Sequence, residues 1–116
     1  MTGGESDLQA LLADLKPVLS PDRYAFEAGD NPELCEGVFA LVREDEGITA
    51  IRIAPAGEWA RISLGVHSSL EVVGMTAAFS RALTDAGISV NVIAGLRHDH
   101  IFVPWDRRED ALRALG

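Results

Sequence analysis

Cysteine is almost absent from this chain: Cys35 stands alone among 116 residues. One thiol excludes an internal disulfide and a thiolate zinc cluster, and a reducing, cytoplasmic setting is expected. Basic residues are scarce, ten Lys and Arg against 18 Asp and Glu, for a formal net charge of −8. They are scattered, with Arg107-Arg108 the only adjacent pair. A chain with no basic stripe has little to release counterions from a phosphate backbone, so no nucleic-acid partner is expected. No run approaches the roughly 18 apolar residues of a membrane-spanning helix. The opening MTGGESDLQALL has no basic n-region, so neither a membrane span nor a signal peptide is expected. What the chain does have is a composition 47% hydrophobic and 24% charged. That supports a true core in one domain, or in two tightly fused small ones.

Hydrophobic periodicity divides the chain into short elements. Leu8, Leu11, Leu12 and Leu15 have helical spacing behind a Ser6 or Asp7 cap, and Pro17 and Pro21 are expected to end that helix. Strands are expected at Arg23 to Glu27, Gly37 to Arg43 and Ile48 to Ile53, the last two pairing antiparallel across Glu44-Asp45-Glu46-Gly47. Arg61 to Val66 alternates, with Ile62, Leu64 and Val66 on one side and Arg61, Ser63 and Gly65 on the other. Ser68-Ser69-Leu70-Glu71 then forms an S-x-x-E capping box. It opens a helix whose apolar face takes Leu70, Val72, Val73, Met75, Ala77, Phe79, Ala82 and Leu83, and Gly87 is its C′ residue. Ile88 to Gly95 reads as a second alternating strand, with Ser89, Asn91 and Ile93 sharing a face. His98 to Val103 reads as a third, with Ile101 and Val103 inward and His98, His100 and Phe102 on the other side. Asp106 is the expected cap of a terminal helix through Leu115. Strand, helix, strand, strand, helix is the order of a ferredoxin-like unit, an α+β fold with an antiparallel sheet and helices on one face.

Three places could carry chemistry. The strand-to-helix turn His67-Ser68-Ser69 offers unpaired backbone N–H groups and the positive end of a helix dipole, a setting for a small anion. One hydroxyl suffices for the cap, which leaves the other for a ligand. Asn91 is a polar amide in an apolar strand and wants a partner, whether ligand, second subunit or solvent. His98 and His100 form an H-x-H with both imidazoles on one face, and His67 could supply a third. No further metal ligand or general base accompanies them, so no metal or other cofactor is expected. Cys35 lies among acidic residues, which does not suit a nucleophile.

The segment VHSSLEVVGMTAAFSRALTDAGISVNVIAGLRHDHIFVP resembles a bacterial family of small, stand-alone ACT-domain proteins, in which VHSSLxAVGLTA, ALAxxGISxNVVAG and HDHIFVP recur. The match is close over Ile62 to Pro104 and looser before it, where Leu8 to Leu19 and Tyr24 fit an opening helix and strand. The resemblance implies a tandem or pseudo-tandem ACT arrangement: residues 1–57 as a degenerate N-terminal half and 58–116 as the C-terminal unit, fused into one compact body. It also implies a non-catalytic regulatory module that binds an amino acid. The implied site is His67, Ser68, Ser69 and Leu70, faced by Ser89, Asn91 and Val92. There the amides after His67 take the carboxylate, and carbonyls or Asn91 take the ammonium. Ser68-Ser69 stands where the best-known ACT turn has Asp or Asn and Pro-Gly. The open face bearing Asn91, His98, His100 and Phe102, with an unpaired sheet edge, suggests a homodimer. Two rival readings are a metal-dependent or His-dependent enzyme using His67, His98 and His100, and a protein-interaction adaptor with no ligand.

Overall fold

The computed structural model describes residues 15–29, 37–65 and 75–116. The strands are β1 (Pro17–Gly29), β2 (Val38–Glu44), β3 (Gly47–Ile53), β4 (Trp59–Leu64), β5 (Asn91–Ala94) and β6 (Asp99–Pro104). Helix α1 (Met75–Asp85) lies between β4 and β5, and a 3₁₀ turn (Trp105–Arg107) leads into α2 (Arg108–Leu115). One six-stranded sheet takes the order β2-β3-β1-β4-β6-β5, with every pair antiparallel.

That order contains one arrangement twice. In β1-β2-β3 and again in β4-β5-β6, the first strand lies inside, the third beside it and the second at the sheet edge. First and second strands are therefore parallel and need a crossover, supplied by residues 30–37 in one triplet and by residues 65–90, with α1, in the other. The triplets meet back to back at the β1–β4 pair, where Tyr24 is opposite Trp59 and Leu19 opposite Ile62. Each triplet thus fills, for the other, the slot beside its first strand. This is the tandem ferredoxin-like arrangement expected from the sequence.

Strand alternation separates two faces. Leu19, Ile62, Ile101 and Val92 stand opposite one another in a row across four strands. This row belongs to the main core, where Phe79 and Leu83 of α1 and Ala111 and Leu115 of α2 cover Ile62, Leu64, Ile101 and Val103. Both described helices therefore lie on this face. Arg107 links them by donating from Nη2 to the Ala86 carbonyl at 3.1 Å, a cation at the C-terminal end of α1. The opposite face carries a ring cluster of Tyr24, Phe39 and Phe102, with Ile51 and Trp59 beside it.

Several expectations change. Pro17 and Pro21 both lie inside β1, which starts at Pro17, six residues before the strand start expected at Arg23. Proline has no N–H to give, and Pro17 is the first residue of the strand while Pro21 falls in the register shift between Leu19 and Arg23. The expected helix before them lies outside the described residues, apart from a buried, non-helical Leu15. On α1, Phe79 and Leu83 are buried as expected, while Ala78 rather than Ala77 completes the buried face. The strand expected from Ile88 to Gly95 is only Asn91–Ala94. The Ile88 N–H bonds to Leu83 O at 2.9 Å and the Gly87 N–H to Thr84 O at 2.9 Å, a helix stop that uses the backbone the strand would need. Asp106 does not cap α2; it lies in the 3₁₀ turn, and the N-cap residue is Arg107, without a side-chain cap. Gly57 is required by space: a Cβ there would lie 2.3 Å from the Tyr24 carbonyl oxygen.

Candidate functional site

His67, Ser68, Ser69 and Leu70 lie outside the described residues. The strand that leads to them ends at Leu64, and both candidate histidines are held beside that end. His98 Nδ1 is 3.2 Å from the Leu64 carbonyl, so Nδ1 is the donor. His100 Nδ1 is 2.8 Å from Ser63 Oγ. The two imidazole centroids are 6.2 Å apart. The start of β6 thus brings both rings beside Ser63 and Leu64, the last residues of β4.

Asn91 is exposed on the edge strand β5, opposite Phe102, and shares the helix-free face with His100. Val92 faces the other way, opposite Ile101 and packed on the main core. Its side chain and the Asn91 amide therefore cannot line one surface, because adjacent strand residues point to opposite faces. Ser89 is exposed and precedes the strand. Among the described residues no group of three or more His, Cys, Asp or Glu could hold a metal.

Sequence reasoning missed the hub of this face, Arg61. Its Nε donates to Tyr24 Oη at 2.9 Å and its Nη1 to Ser63 Oγ at 2.8 Å. Its guanidinium carbon is 4.6 Å from the Phe39 ring centroid and 5.5 Å from that of Tyr24. Among the described residues no carboxylate pairs with it. The donors form one chain: Arg61 gives to Ser63, Ser63 gives to His100 Nδ1, and His100 then carries its proton on Nε2. His100 is held below the ordinary histidine value, first by burial, then by Arg61 and by His98, with Asp99 opposing. The site therefore pairs a fixed cation with a neutral imidazole. The sequence signal was available: Trp59, Arg61 and Ser63 are the outward positions of the same alternation that placed Ile62 and Leu64 inward.

Comparison with known proteins agrees with this architecture. Residues 57–116 match an ACT domain, and residues 3–62 match a second ACT domain. The chain belongs to the ACT-domain family, which supports a small-molecule-binding regulatory role; such domains are typically non-catalytic. A Vibrio cholerae protein of unknown function, described as a possible transport protein, is 41% identical with a TM-score of 0.83, covering 97% of this chain and 95% of that one. The ligand-free regulatory subunit of aspartate kinase from Thermus thermophilus shares the fold at 12% identity and a TM-score of 0.64, over 88% of this chain and 95% of that one. An Agrobacterium tumefaciens protein does so at 17% identity and a TM-score of 0.58, over 79% and 78%. No match to a curated protein was found.

Proposed function

We propose that this protein is a non-catalytic sensor whose ligand is an amino acid, bound at the end of β4. The observation that supports this reading is the Arg61–Ser63–His100 chain, which holds a cation without a carboxylate partner among the described residues beside the strand end that leads into His67-Ser68-Ser69. A carboxylate bound at the amides after His67 would also gain from that positive charge. Ser68, Ser69 and Leu70 form the turn in this reading, His98 and His100 its wall, and Ser89, Asn91 and the Val92 backbone the facing strand. We place the boundary between the degenerate N-terminal half and the C-terminal unit at residues 57 and 58. We assign the protein to the cytoplasm as a homodimer, paired through the unfilled edges of β2 or β5. Among the described residues no helix is long and apolar enough to cross a membrane.

A thermal-shift screen against the twenty amino acids tests the reading. A ligand at 100 times its Kd adds about 2.7 kcal/mol, which raises Tm by roughly 10 °C for a chain of this size. One amino acid is expected to do so, and Ser69→Asp is expected to abolish its effect by repelling the carboxylate. Silence from every amino acid, in a protein that melts cooperatively, would sink the proposal and favour the adaptor reading.

A further inference from the structure

The helix-free face is concave. Three strands separate β2 from β6, so on a flat sheet they would stand about 19 Å apart, four spacings of about 4.8 Å. Yet the Phe39 ring of β2 has its centroid 5.0 Å from that of His100 and 5.7 Å from that of Phe102, both on β6. Phe39 falls in the register shift between Val38 and Ala40, where an edge strand bends most readily. Under this curl lie Arg61, Ser63 and His100, each half-buried. Val18, opposite Ser63 on β1, is 63% exposed, so the hollow stays open on that side.

The hydrogen bonds in the hollow depend on one proton. With His100 neutral, Arg61 Nη1 donates to Ser63 Oγ, and Ser63 donates its only hydrogen to His100 Nδ1. A proton on Nδ1 reverses the second bond. Ser63 Oγ then accepts from both cations, and its own hydrogen is released. Arg61 Nη1 and His100 Nδ1 are 3.5 Å apart, so two positive charges would share this hollow. Among the described residues, the charged or titratable groups around His100 are Arg61, His98 and Asp99. Asp99 lies on the helix side, in alternation with Ile101. Tyr24 reaches the cluster through Arg61, while β2 and β5 meet it with Phe39 and Ile93. No carboxylate among the described residues pairs with Arg61. Burial, then Arg61, then His98 keep His100 uncharged at neutral pH.

We propose that Arg61, Ser63 and His100 form a proton-coupled site for a tetrahedral dianionic oxyanion, sulfate or a phosphate group. The released Ser63 hydroxyl and the Nη groups of Arg61 donate to the anion, and the imidazolium supplies the second charge. Anion and proton then bind together, each favouring the other. This goes beyond the amino-acid reading and stands if that reading fails, because sulfate carries no ammonium.

His100 is its own reporter. The three histidines of the full chain are titrated by NMR between about pH 4.5 and pH 8.5, with His100→Asn identifying the His100 signal. One series contains sodium chloride and the other sodium sulfate at equal ionic strength, which holds screening constant. Sulfate is expected to raise the His100 midpoint by about one pH unit or more. Such a rise means that the protonated cluster binds sulfate about tenfold more tightly than the neutral one. Arg61→Gln should abolish the rise. Ser63→Ala, which keeps both charges and removes the released hydroxyl, should reduce it by at least about half a unit and serves if Arg61→Gln does not fold. In the same assay, a larger effect from glycerol phosphate than from inorganic phosphate would identify a phosphomonoester as the occupant, and the reverse a free ion; either supports the site. Equal His100 midpoints in chloride and sulfate overturn the proposal, as does a rise that persists undiminished in Arg61→Gln or Ser63→Ala.

Discussion

Arg61 and Ile62 are neighbours in sequence and face opposite sides of the sheet. Ile62 is fully buried beneath the helices, while Arg61 holds Tyr24, Ser63 and the Phe39 ring on the other face. Alternation made this division legible, and it also predicted that His100 faces away from Ile101. That His100 is neutral was not legible, because its environment comes from β2, through Phe39 at a centroid distance of 5.0 Å, and from β4. Its depressed value has a testable sign. The unfolded chain takes up the His100 proton at about the free-histidine value of 6.5, and the folded chain only at lower pH. As pH falls through that interval the unfolded state binds more protons, so stability drops. Replacing His100 with Asn should flatten the decline in denaturation midpoint between about pH 7 and pH 5. An unchanged slope would mean that His100 titrates alike in both states.

Elements were read best where their stops are local. Gly87 has φ +72° and a Cβ there would meet nothing within 4 Å. Gly87→Ala should therefore cost about 1–2 kcal/mol, from left-handed backbone alone, with the urea midpoint lowered and the slope m unchanged. A neutral result would show that the helix stop relaxes without loss. β1 was the element read least well. Two prolines in a short stretch look like a break, and only a partner strand with a register shift can take them in. Likewise Ile88 and Ser89 have strand composition, yet the helix stop claims the Ile88 N–H before any strand can.

At the scale of the molecule, the two ACT-type triplets share one sheet through β1 and β4, so neither has a complete set of strand neighbours alone. Unfolding should be one cooperative transition. Tryptophan fluorescence, which reports only on β4 and the turn after β6, and far-UV circular dichroism should give coincident denaturant curves. Two separated curves would show instead that the halves are independent domains. Short local signals, the alternation of β4 and β6, the glycine after α1 and the HDHIFVP segment, were enough to define the C-terminal unit and its family, because they act over a few residues. Tertiary structure decided what depends on distant partners. β1 is continuous because β3 and β4 pair with it on both sides, and Arg61 is a hub because Tyr24 and Phe39 approach it from other strands. Sequence spacing specifies which face a side chain takes, but a site made of three strands depends on register, and register is set only when the sheet closes.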